Sequence, residues 1–217
     1  MSKFISHHVM FDVDGTLIVS DGSEESCFRE AIYEVLGHTV DVDWSKYTHV
    51  TDLGALDQHV TELGLDDRRD TIRTSVKEAF TRNIAEHIMI KPPKQIPGAC
   101  SFVEELFQIE RVSISIATGG WLETASMKLE SAGFNTSEIP IASSNDHHSR
   151  TEIMKIARDR AKGSNSATCT YFGDGVWDKD ACKDLDYNFV LVGNGTSHTQ
   201  SIMDYTDRHQ AMAYIGL

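Results

Sequence analysis

Short apolar runs that stop abruptly at polar residues alternate, along most of the chain, with stretches whose apolar positions recur at helical spacing. The first run, Val9-Met10-Phe11, gives way at once to Asp12-Val13-Asp14-Gly15-Thr16. A continuous apolar run of this kind reads as a strand buried on both faces of a parallel sheet, with polar groups at its C-terminal end. Runs at 112–118, 139–142, 168–173 and 188–193 read the same way, being mostly rich in β-branched and aromatic residues. Between them, Phe102, Val103, Leu106 and Phe107 predict a helix over 99–107, and Leu122, Ala125, Met127, Leu129 and Ala132 predict another over 122–132. Ser149-Arg150-Thr151-Glu152 has the form of a capping box ahead of Ile153, Ile156, Ala157 and Ala161. Such alternation predicts an α/β fold with a parallel sheet and helices on both faces.

Residues 20–92 break the pattern. No strand is expected there. Phe28, Ile32, Val35 and Leu36 predict one amphipathic helix, and Leu53, Leu56, Val60 and Leu63 a second. Ile72, Val76, Phe80, Ile84 and Ile88 predict a third and longer one. Pro92, Pro93 and Pro97 then mark a stiff connection. The expected organisation is therefore an α/β core from 1–19 and 93–217, interrupted by an all-helical insertion over 20–92.

Composition narrows the function. The chain has 217 residues, 40% of them apolar and 24% charged, which is ordinary for a globular protein. A net charge of −13 argues against nucleic acid or an anionic membrane as a general partner. No apolar run is long enough for a transmembrane helix, and the first eight residues carry no secretory stretch. Cys27, Cys100, Cys169 and Cys182 lie far apart without C-x-x-C spacing, as suits a reducing, cytoplasmic setting. Nothing in the sequence marks an oligomeric state.

Four segments carry candidate chemistry. Asp12 and Asp14 would both leave the first strand at its carboxyl end, where open α/β sheets bind ligands. Paired carboxylates there suit a nucleophile and an acid/base around a divalent cation; a solvated acidic turn is the plainer alternative. Thr118 and Gly119 follow the second core strand, where a hydroxyl and backbone N–H groups at a helix start suit an oxyanion, or simply cap a helix. Arg150 opens the next helix, with Lys155 as a competing cation; either could be an ordinary surface charge. Gly173-Asp174 closes a strand, and Asp178 follows one helical turn on. Asp174 is an apt ligand for Mg²⁺, and Asp178 could act through water or by orienting its neighbours.

In this order and placement, Asp12-x-Asp14-Gly15-Thr16, Thr118, Arg150 and Gly173-Asp174-x-x-x-Asp178 resemble the four motifs of the haloacid dehalogenase superfamily. The resemblance covers essentially the whole chain. It implies a Rossmann-like core and makes the helical insertion a cap domain. It also implies a Mg²⁺-dependent phosphatase acting on a small phosphorylated substrate. Asp12 would be the nucleophile, and Asp14 the acid/base. Mg²⁺ would be held by Asp12, the Asp14 carbonyl and Asp174, while Thr118, nearby N–H groups including that of Gly119, and Arg150 would grip the phosphoryl group. Small sugar phosphates and phosphoglycolate are the substrates this resemblance suggests first. A phosphomutase shares both aspartates and a similar cap. A phospho-acceptor signalling module or a silent scaffold fits less well.

Thr51, Asp52, His59 and residues 46–51 are candidate specificity positions on the insertion. His7, His8, His147 and His148 read as exposed loop residues, and Trp121 and Trp177 as packing residues.

Overall fold

β1 (His7–Phe11) lies at the centre of a sheet because Val9, Met10 and Phe11 present apolar side chains to both faces. The structure is a computed structural model that describes residues 6–40, 43–161 and 167–217; residues 1–5, included in the reading for a secretory stretch, lie outside these. Beside β1 run β2 (Val112–Ala117), β3 (Ile141–Ala142), β4 (Thr168–Gly173), β5 (Asn188–Val192) and β6 (Ser201–Ile202). The order is β3-β2-β1-β4-β5-β6, with every pairing parallel. Phe11 stands opposite Ile116 on one side and Phe172 on the other. That register brings Asp12, Thr118 and Asp174 out along one rim.

Helices α4 (Ala99–Phe107), α5 (Leu122–Ser131) and α8 (Arg208–Ile215) cover one face, and α6 (Arg150–Arg160) and α7 (Val176–Leu185) the other. Val9, Phe11, Ile114 and Ile116 pack with Phe102, Leu106 and Leu129. Met10, Tyr171 and Leu191 pack with Ile153, Met154 and Cys182. Of the four cysteines, Cys100 is half-buried and the rest are buried; all are free thiols.

The insertion forms α1 (Ser23–Leu36), α2 (Asp52–Glu62) and α3 (Arg69–Ile90), as the spacing predicts. These helices enclose a separate apolar cluster that includes Phe28, Leu56, Val60, Val76 and Phe80. Trp121, at the start of α5, inserts into it, 5.5 Å from Phe80 between ring centroids. The two connections run side by side: Val19 N–H donates to the Lys94 carbonyl at 2.8 Å, and Ile96 N–H to that of Leu17 at 2.9 Å. Among the described residues no helix is long and apolar enough to cross a membrane.

His8 departs from its expected exposure. It is fully buried in β1, with Nδ1 2.7 Å from Ser113 Oγ and Nε2 3.0 Å from Ser115 Oγ on β2. Burial, then the charge of Arg158, lowers its pKa to about 4. A histidine depressed in this way contributes its full stability above the unfolded value, near pH 6.5, and loses it as pH falls toward 4. Between pH 7 and pH 5, wild type should lose roughly 2 kcal/mol more unfolding free energy than His8→Gln. Urea titrations of both proteins at the two pH values measure this difference. Equal losses would show that His8 is not held neutral.

Candidate active site

The loop after β1 is shaped by its glycine. Gly15 has φ +74°, and a Cβ there would fall on the Asp174 carboxylate. The turn closes through Leu17 N–H to the Val13 carbonyl at 2.9 Å and Gly15 N–H to that of Ile18 at 2.9 Å. Buried Leu17 and Ile18 anchor it below. Asp12 is thereby held at the rim with 5% of its surface exposed. Carboxylate oxygens of Asp12, Asp174 and Asp178 all lie within 4.8 Å of one another.

Thr118 is buried beside this group, and its hydroxyl accepts from Gly120 N–H at 3.1 Å. The helix starts at Leu122, as the spacing predicts, and the N–H groups at its start are already engaged. Asp52 takes that of Trp121 at 2.9 Å, and Asn145 that of Leu122 at 3.1 Å. The Gly119 N–H has no hydrogen-bond partner among the described residues, so it is the donor left over in this turn. A Cβ on Gly119 would press on the Arg150 guanidinium, 2.6 Å away, which accounts for a glycine there.

Arg150 and Lys155 part company. Arg150 donates to Asp178 Oδ1 at 2.9 Å and to the Val50 carbonyl at 3.0 Å, and lies 3.6 Å from Asp12 Oδ2. Lys155 is exposed and pairs with Glu152 at 2.7 Å. That pairing, and the Ser149 hydroxyl's contact with Thr151 at 2.9 Å, replace the predicted capping box; Ser149 makes no side-chain cap. Asp178 is wholly buried. Its Oδ2 accepts from Gly175 N–H at 3.0 Å, and its Oδ1 from Arg150 and, at 3.3 Å, from the Tyr171 hydroxyl. Asp178 therefore fixes Arg150.

Lys128, Glu24 and Asp52 complete the surroundings. Lys128 is buried and donates to both Asp14 oxygens, at 2.8 and 2.7 Å, and to Glu24 of α1 at 2.5 Å. It was legible only as a lysine breaking into the apolar stripe of Ala125, Leu129 and Ala132. Thr51 caps α2 through Gly54 N–H at 3.0 Å and donates to the His148 carbonyl at 2.7 Å. His59 turns instead to the Tyr47 hydroxyl at 2.7 Å, inside the insertion. His147 and His148 are half-buried, and the His148 ring lies 4.7 Å from that of His49.

The charges are unbalanced. Six carboxylates, Asp12, Asp14, Glu24, Asp52, Asp174 and Asp178, share two cations, Lys128 and Arg150. Burial and then Asp178 push Asp12 well above the ordinary carboxylate range, and Asp174 to about 7. Burial likewise raises Glu24 to about 8, with Asp14 adding to it, and Asp52 to about 7. Burial works against the charge on Lys128, but Asp14 and Glu24 outweigh it and raise its pKa. An oxygen-rich site with this excess of buried carboxylate suits a hard divalent cation. Asp178 has both oxygens occupied, which leaves Asp12 and Asp174 as the carboxylates placed to bind one.

Comparisons agree with this arrangement. The chain matches the family model for haloacid dehalogenase-like hydrolases over residues 7–186. No curated protein matches it. CbbY from Rhodobacter sphaeroides, solved in complex with phosphate, is similar in fold: 16% identity, 98% of this chain and 100% of that one covered, TM-score 0.72. So is beta-phosphoglucomutase from Clostridium difficile, at 14% identity, with the same coverage and a TM-score of 0.70. A hydrolase from Pseudomonas syringae shares 20% identity over 89% of this chain and 88% of its own, with a TM-score of 0.66. With the four motifs gathered at one rim and the family model spanning most of the sequence, the chain belongs to the haloacid dehalogenase-like hydrolase family.

Proposed function

We propose that this protein is a Mg²⁺-dependent phosphatase that hydrolyses a small phosphorylated metabolite through transient phosphorylation of Asp12. The observation that carries this reading is the buried meeting of Asp12, Asp174 and the Arg150–Asp178 pair beside Thr118. The insertion over 20–92 acts as a cap on the core of 1–19 and 93–217, since Glu24 and Asp52 line the cavity over Asp12. The protein's four free thiols suit the cytoplasm.

An Asp12 oxygen attacks phosphorus in line with the ester oxygen. As that bond forms, the bond from phosphorus to the alcohol oxygen breaks, and Asp14 gives the departing oxygen its proton. Asp14, now ionised, takes a proton from the water that attacks the same phosphorus. Inorganic phosphate leaves and the Asp12 carboxylate is restored. Arg150, the Thr118 hydroxyl and the Gly119 N–H stabilise charge on the phosphoryl oxygens. Lys128 holds both Asp14 oxygens in the free protein, so Asp14 must turn from Lys128 and take up a proton from solvent before it can serve the ester as acid. Asp12, Asp174 and the Asp14 carbonyl would hold Mg²⁺, which when bound screens carboxylate from phosphate.

A phosphomutase would use the same aspartates; hydrolysis is favoured because the matching family model is one of hydrolases. Turnover of p-nitrophenyl phosphate should fall to background in EDTA and return with Mg²⁺. Activity indifferent to chelation, or none with Mg²⁺ present, would contradict the reading.

A further inference from the structure

The cavity over Asp12 has a volume of about 150 Å³ and two unlike ends. At the sheet rim lie Thr118 and Arg150, the groups assigned above to the phosphoryl oxygens. The rest of the wall comes largely from the insertion and carries Glu24, Glu25 and Asp52, together with the indoles of Trp44 and Trp177. Glu25 is half-buried and accepts from Trp44 Nε1 at 3.0 Å, which sets a carboxylate at the edge of that ring. Among the described residues lining this cavity, Arg150 is the one lysine or arginine. It is already shared between Asp178, Asp12 and the incoming phosphoryl group.

From this we infer the charge of the substrate's alcohol half: it bears an amine or quaternary ammonium, received by the wall that carries Glu25, Asp52 and the indoles of Trp44 and Trp177. This rests on the phosphatase reading and deepens it. Glu24 is already held by Lys128, so a cation gains chiefly from Glu25 and Asp52, and from the electron-rich indoles that line the same cavity. A carboxylate or second phosphate meets only like charge and has no basic partner to receive it. The nearest cations lie elsewhere. Lys128 is paired with Asp14 and Glu24, and it lines a neighbouring cavity of about 440 Å³ and not the one over Asp12. Lys91 and Lys94 line that second space, and Lys91 is paired with Asp21 at 2.7 Å. Phosphoglycolate, one of the substrates suggested by family resemblance, carries the wrong charge for the cavity over Asp12.

Three two-carbon esters separate charge from size: aminoethyl, hydroxyethyl and carboxymethyl phosphate. With the full chain and Mg²⁺, kcat/KM should fall in that order, by roughly tenfold from the first to the second. Glu25→Gln retains an acceptor for Trp44 and should narrow the ratio of aminoethyl to hydroxyethyl ester by several-fold. A hydroxyethyl ester used as well as the aminoethyl ester overturns the inference. So does preference for the carboxymethyl ester, which would move the alcohol half to the Lys91 and Lys94 side. An unchanged ratio in Glu25→Gln overturns the assignment of that wall. If p-nitrophenyl phosphate is hydrolysed while the order fails, this inference falls and the phosphatase reading stands. If no ester is hydrolysed, both fall.

Discussion

Asp12→Asn is expected to lower kcat for p-nitrophenyl phosphate by roughly four orders of magnitude or more, the scale on which losing a nucleophile is felt. The amide fills the same space but cannot form the acyl phosphate. Stability should not fall with activity. Burial and the neighbouring Asp178 raise the Asp12 pKa in the fold, so above the ordinary carboxylate range its ionisation opposes folding. A neutral side chain relieves that opposition, and the melting temperature at pH 7 should hold or rise. Lost activity with an unchanged or higher melting temperature assigns Asp12 to chemistry. Activity near wild type would remove it as nucleophile.

Arg150→Ala should cost roughly a thousandfold in kcat/KM, as expected for an arginine that neutralises a transferring phosphoryl group. Unlike Asp12→Asn it should also destabilise, by about 3 kcal/mol, because Asp178 is left buried without its cation. Arg150→Lys should restore part of both, since the charge returns but the fork that reaches Asp178 and the Val50 carbonyl does not. Lys155→Ala should change neither, its ammonium being exposed and occupied with Glu152. Steady-state kinetics and urea titration of the three variants test the assignment. A larger activity loss in Lys155→Ala than in Arg150→Ala would transfer the role to Lys155.

The sheet and most helices were legible because burial on two faces demands continuous apolar strands, and burial on one demands helical spacing. Val9 to Phe11 and the spaced Ile72, Val76, Phe80 and Ile84 are such cases. β6 is two residues long, too short for any period, and α8 buries only Ala211 and Ile215. The positions of Asp12, Thr118 and Asp174 were legible because parallel register carries strand ends to one rim. Contacts between remote segments were not. Lys128 has meaning only once Asp14 and Glu24 are brought to it, and Asp52 only once it meets the Trp121 N–H. His8 looked like part of a polar terminus because its partners, Ser113 and Ser115, lie more than a hundred residues away. The Ser149 capping box failed for a local reason, since Glu152 pairs with Lys155 three residues on and the Ser149 hydroxyl with Thr151.

Rapid acid quenching during turnover, with ester carrying radiolabelled phosphate, tests the central claim most directly. Label should appear in the peptide containing Asp12, and Asp14→Asn, slowed in releasing it, should accumulate more. Steady turnover with no label on that peptide, in either protein, would contradict the account.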